Sequence, residues 1–179
     1  MALTATIYNF DIDLNDSDRG VYETLALRVA CHPSEADDYL VARVLAFGLE
    51  YTERLEFSRG LSDPDEPTIA ARDLTGALRV WVEIGAPDAA RLHKASKASP
   101  RVAVYTHKDV GQWLARLEGA RIHRAEAIEV WSFDRAFLGA LVSRLERRMA
   151  FGLSVSDREL YVSIGSDTLT GPLTRHVLP

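Results

Sequence analysis

Apolar and polar residues alternate at the start of the chain, with Ile7, Phe10, Ile12 and Leu14 set among polar neighbours. That two-residue period predicts a strand over Ala2 to Leu14. Asn15 to Gly20 is a turn cluster, and Val21 to Ala30 reads as a second strand paired with the first. The period then changes to a helical one. Ser34 can cap, Glu35 and Asp37 lie where the helix dipole favours acids, and the helix is expected to run to about Glu53. Leu40, Val41, Val44, Leu45, Gly48 and Tyr51 form its apolar face. The opposite stripe, Glu35, Tyr39, Arg43, Ala46, Glu50 and Glu53, is expected to face water.

Leu61 to Pro67 carries two prolines and three acids and reads as a loop. A hairpin follows: Thr68 to Arg72, a turn at Asp73 to Gly76, and a second strand from Ala77 to Ile84. Gly85-Ala86-Pro87-Asp88 stops that strand and caps a helix over Ala89 to Ala98. With the apolar strand Val102 to Tyr105 this makes a βαβ unit, whose strands are expected to be parallel. A helix near Asp109 to Leu117, a strand over Ala127 to Phe133 and a helix from Asp134 come next. Strands over Met149 to Val155, Glu159 to Ile164 and Leu169 to Leu173 close the pattern. The expected fold is α/β (or α+β), a mixed central β-sheet flanked by helices.

The chain has 179 residues, 47% hydrophobic and 26% charged, which suits a single domain over residues 1–179. No apolar run reaches bilayer length and no charged-then-apolar leader opens the chain, so a cytoplasmic protein with no membrane partner is expected. The single cysteine, Cys31, excludes an intramolecular disulfide and reads as a small core residue. A formal charge of −5 argues against a protein that coats nucleic acid nonspecifically. Of the 21 basic residues only Lys94, Lys97 and Lys108 are lysine. Coding bias explains the arginine excess as a whole, yet a retained lysine can mark a need for an ammonium.

Candidate chemistry gathers at the hairpin. Asp65 opens it and Glu83 stands near its end, so folding back brings the two carboxylates towards each other. Two converging carboxylates suit Mg²⁺ or Mn²⁺, with water and phosphate filling the remaining positions. The plainer readings are a solvated loop acid for Asp65 and an arginine-paired acid for Glu83. Glu83 resists its plain reading, because Trp81, Val82 and Ile84 around it are core residues and a buried unpaired carboxylate is costly. The helix that follows places Arg91 and Lys94 on one face. Lys94 can neutralise a phosphate or orient water, whereas Lys97 reads as solvated. Glu53 or Glu35 would be a further metal-binding acid from the first helix. The five histidines show no metal-ligand spacing, and no Gly-rich phosphate loop occurs.

The chain resembles the YaeQ family over essentially its whole length. The resemblance is carried by Met1 to Tyr8, His32-Pro33-Ser34-Glu35, Glu53-Arg54-Leu55 with Phe57, and Arg59-Gly60-Leu61. It continues through Asp65-Glu66-Pro67 and Trp81 to Gly85 with Pro87-Asp88, Arg91 and Lys94. It implies a core like that of PD-(D/E)xK restriction-endonuclease-like proteins. Pro64-Asp65 then looks like the Pro-Asp element and Glu83 like the second acid. The motif lysine would stand at Gly85, and Lys94 on the adjacent helix is placed to replace it.

Three readings follow. The first is a Mg- or Mn-dependent nuclease or phosphodiesterase. In it Asp65 and Glu83 hold the metal with Glu53 or Glu35, Lys94 is catalytic, and Arg91 and Arg43 contact substrate phosphates. The second is a non-catalytic adaptor that binds nucleic acid or protein on the same fold. The third is a structural salt-bridge network. Monomer and dimer both stay open.

Overall fold

The computed structural model describes residues 4–58 and 65–179; Arg59-Gly60-Leu61 and Pro64 of the expected motifs lie outside them. Among the described residues the order begins β1 (Thr6–Asp16), β2 (Val21–Cys31), α1 (Asp37–Leu49), β3 (Leu55–Phe57), β4 (Ile69–Arg72) and β5 (Leu78–Ile84). It continues α2 (Ala89–Ala98), β6 (Arg101–Thr106), α3 (Val110–Leu117), β7 (Glu129–Phe133), α4 (Arg135–Val142), β8 (Arg148–Ser156), β9 (Glu159–Ile164) and β10 (Asp167–His176). The mixed α/β class is as expected. Two compact units emerge, Met1–Leu49 with Phe133–Thr174, and Glu50–Ser132 with Arg175–Pro179.

In the first unit the strands run in the order β2-β1-β8-β9-β10. β1 pairs antiparallel with β2 from Thr6↔Cys31 to Asp16↔Val21, and parallel with β8. Burial alternates along β1, with Phe10, Ile12 and Leu14 inside and Asp11, Asp13 and Asn15 outside, as the sequence period requires. Helices α1 and α4 pack together in this unit. A Cβ on Gly171 of β10 would stand 2.5 Å from the Phe137 Cβ of α4, so only a glycine permits that approach.

Helix α1 departs from expectation at both ends and on one face. Ser34 does not cap it. The Ser34 amide donates to His32 Nδ1 at 3.1 Å and its hydroxyl lies 2.7 Å from the same nitrogen, making a turn before the helix. The helix stops at Leu49, where Arg19 donates to the Leu49 carbonyl at 2.5 Å. Glu53 therefore lies beyond the helix and is exposed. The stripe expected to face water is largely buried: every residue from Leu40 to Leu49 is inside. Arg43, 7% exposed, donates to the Ala30 carbonyl at 2.9 Å and to Glu35 at 3.1 Å.

In the second unit the order is β7-β6-β5-β4-β3. β3, β4 and β5 pair antiparallel, and β5, β6 and β7 run parallel, so the expected hairpin and βαβ unit are both present. The three-residue strand β3 is an element the sequence pattern did not signal. Asp88 and Asp109 cap α2 and α3, each accepting an amide hydrogen bond at 2.8 Å. Trp81, Leu92, Ala95, Val102, Val104, Trp113, Leu117 and Val130 form the core between these helices and the strands. Among the described residues no helix is long and apolar enough to cross a membrane.

The β8–β9 turn puts two non-glycine residues in the left-handed region, Asp157 at φ 52 and Arg158 at φ 60. Both of their amides donate to the Asp18 carboxylate, at 2.8 and 2.9 Å. Arg158→Gly should raise unfolding free energy by about 1 kcal/mol by relieving the strain. Asp18→Ala should lower it by about 1–2 kcal/mol. Urea denaturation of the two variants checks both signs.

Candidate functional site

The site grows from the end of β5. Trp81 and Glu83 stand two residues apart on the strand and share a side. Trp81 is 1% exposed, and its indole N–H donates to Glu83 Oε1 at 2.6 Å. Glu83 is 5% exposed. Burial pushes its carboxyl pKa up, and the hydrogen bonds from Arg91 and Trp81 oppose that rise without cancelling it.

Arg91, in the first turn of α2, donates to the same Oε1 from Nε at 2.9 Å and from a terminal nitrogen at 2.7 Å. That terminal nitrogen also donates to the Glu66 carbonyl at 2.5 Å. The guanidinium lies 5.2 Å from the Trp81 ring centroid. Arg91 thus ties the buried acid of β5 to the peptide next to Asp65. One helical turn further on, Lys94 pairs with Asp65.

Four of the expected residues, Asp65, Glu83, Arg91 and Lys94, therefore meet at one end of the β4–β5 hairpin. The others do not join them as a ligand set. Glu35 and Arg43 belong to the first unit, where they pair with each other. Glu53 borders an open hollow with Arg54, Glu56, Glu66 and Arg72. Among the described residues no three His, Cys, Asp or Glu side chains group as a metal would require. Sequence reasoning missed the Trp81 donor and the Glu66 carbonyl. The first had a readable signal, an indole two residues before an acid on a strand.

Gly85, the position where the resemblance puts a motif lysine, leaves β5 in a left-handed turn. Its φ is +98, a backbone that a residue with a side chain enters only under strain. A lysine at this position would carry that strain, and the next basic side chains along the chain, Arg91 and Lys94, come from α2.

The whole chain matches known proteins in sequence and in fold. A profile described as YaeQ protein matches residues 1–172. The chain belongs to the YaeQ family. YaeQ of Salmonella typhi and YaeQ of Escherichia coli (strain K12), both described as uncharacterized, are 31% identical to it over 175 and 176 residues. In each comparison 97% of both chains is covered. The crystal structure of YaeQ from Xanthomonas axonopodis pv. citri superposes with a TM-score of 0.89 at 34% identity, covering 98% of this chain and 100% of that one. YaeQ from Pseudomonas syringae gives 0.85 at 28% identity, over 96% and 95%. This YaeQ chain thus has the family's mixed α/β fold throughout.

The two ion pairs of this site differ in energetic weight. Arg91 serves a buried acid, and Arg91→Ala should cost about 3 kcal/mol by leaving Glu83 uncompensated. Lys94 and Asp65 are 44% and 73% exposed, so Lys94→Ala should cost less than about 1 kcal/mol. Chemical denaturation of both variants measures the contrast.

The raised Glu83 pKa has a definite sign. The folded carboxyl holds its proton more tightly than the unfolded one, so this group favours folding most below its ordinary pKa. That contribution is lost as pH rises through the folded value. Glu83→Gln, which carries no charge to desolvate, should therefore raise the melting temperature at pH 7 and flatten its dependence on pH just above the ordinary carboxyl range. A drop in melting temperature at pH 7 would show instead that the ion pair is a net stabiliser.

Proposed function

We propose that the chain is a divalent-metal-dependent phosphodiester hydrolase of nuclease type, on a core of the PD-(D/E)xK kind. The observation that carries the reading is Arg91, which joins Glu83 to the Glu66 carbonyl while Lys94 on the same helix face reaches Asp65. An acid from the loop before β4, an acid from β5 and a lysine from the following helix are thereby gathered at one sheet end.

The donor set suits a hard cation. Glu83 gives Oε1 to Trp81 and Arg91 and keeps Oε2 without a hydrogen-bond donor among the described residues. Asp65 adds an exposed carboxylate. Two acids and no nitrogen or sulfur ligand fit Mg²⁺ or Mn²⁺, which retain several waters, better than Zn²⁺. Such an ion supplies charge neutralisation at a phosphate and a more acidic bound water. The remaining roles belong to side chains. Arg91 and Trp81 hold the Glu83 carboxylate in one orientation, and the Lys94 ammonium steadies charge on the phosphate or holds the attacking water.

A second reading rests on a specific observation: Arg91 and Lys94 already neutralise Glu83 and Asp65. A charge-balanced cluster of this kind serves equally in a binding protein that performs no hydrolysis.

Calorimetry with Mn²⁺ and a cleavage assay on single- and double-stranded DNA and RNA separate the two. The hydrolase reading expects saturable Mn²⁺ binding that Asp65→Asn weakens at least tenfold. It also expects cleavage that Lys94→Ala slows about a hundredfold or more while the melting temperature holds. Mn²⁺ binding absent from wild type, or cleavage indifferent to Asp65→Ala, would leave the binding-protein reading in its place.

A further inference from the structure

The run from Ala89 to Lys108 contains no acid and holds all three lysines of this acidic chain. Arg91, Lys94 and Arg101 within it are engaged by Glu83, Asp65 and the Glu50–Glu129 pair. Lys97, in the last turn of α2, is exposed and makes no ion pair among the described residues. Four residues before it on the same helix face is His93.

His93 is half of a histidine pair. Its ring and that of His123 meet edge to face with centroids 6.3 Å apart. The His123 backbone amide lies 3.1 Å from His93 Nδ1. An amide can only donate, so Nδ1 of His93 must accept, and the neutral ring carries its proton on Nε2. His123 Nδ1 lies 3.2 Å from the hydroxyl of Ser96, which is 5% exposed. When that hydroxyl donates, His123 also carries its proton on Nε2. Neither Nε2 has a hydrogen-bond partner among the described residues, and both rings are half-buried.

This chemistry distinguishes an anion from a cation. A metal needs an imidazole nitrogen with a free lone pair, and the fixed tautomer of His93 removes it. Two N–H donors, with an ammonium that makes no ion pair among the described residues one helical turn from His93, match the oxygens of a phosphate group. We propose that His93 and Lys97 of α2, together with His123 from the segment after α3, form a phosphate-group binding site separate from the Asp65–Glu83 pair.

The site takes a phosphoryl group whether it arrives as free phosphate or within a nucleic-acid strand, and it stands irrespective of hydrolysis at Asp65. Lys94 lies one turn before Lys97, so a strand with successive phosphates could touch both.

The test is an imidazole C–H NMR titration of the full chain in metal-free buffer. Its arms are inorganic phosphate, a thymidine oligonucleotide and, as a control for ionic strength, sodium chloride. The His93 and His123 signals should move saturably with phosphate or with the oligonucleotide and stay still in chloride. Lys97→Ala should weaken that binding at least threefold. His93→Asn keeps an acceptor for the His123 amide and loses the Nε2 donor, so it should hold the melting temperature and weaken binding about tenfold. The arm that binds more tightly identifies the source of the phosphate. Signals that move no more than in chloride, or that respond to Zn²⁺ and not to phosphate, would overturn the site. Binding unchanged in both variants would do the same.

Discussion

The carboxylate of Glu83 is the constraint around which the second unit is organised. An acid that is 5% exposed must find donors, and it takes them from an indole two residues back and a guanidinium on the next helix. That requirement fixes the first turn of α2 against the end of β5. It also draws in the chain beside Asp65, because the same guanidinium reaches the Glu66 carbonyl. The Trp81 indole closes the arrangement from beneath, packing the hydrophobic core on one side and touching both charges on the other. Positioning of the polar groups and burial of the apolar ones are one event here.

Strong local signals made much of this legible. The run from Ile69 to Thr106 is punctuated by Asp73 to Gly76, by Gly85 and Pro87, and by Asp88 as a helix cap, so strand, turn, strand, helix and strand could be read in order. That α2 starts beside the end of β5 followed from the same reading, whereas the specific pairing of Lys94 with Asp65 did not. The parallel sense of β5 and β6 followed from the length of the crossover.

Where reading failed, the deciding partner lay far away in sequence. Leu49 ends α1 because Arg19, from the β1–β2 turn, takes its carbonyl. Arg43 is buried with one terminal nitrogen donating to the Ala30 carbonyl and to Glu35. A helical wheel assigns a polar stripe to water by default, and it cannot register donors and acceptors supplied by other segments. Strand β3, at three residues, is shorter than any period that could announce it. The helix presumed to carry both Glu35 and Glu53 starts at Asp37 and stops at Leu49, so neither acid stands on it.

The two ion pairs divide labour in a way that bears on how such a protein changes over time. Glu83 and Arg91 are bound up with the core, so substitution at either acts first on folding stability, in whichever direction. Lys94 and Asp65 sit in solvent with little structural weight, so drift at those two positions meets only selection on what the protein does. On the hydrolase reading, a lineage acquires or discards reactivity by exchanging two surface residues while its architecture passes on unaltered, and homologues of equal stability need not share one chemistry.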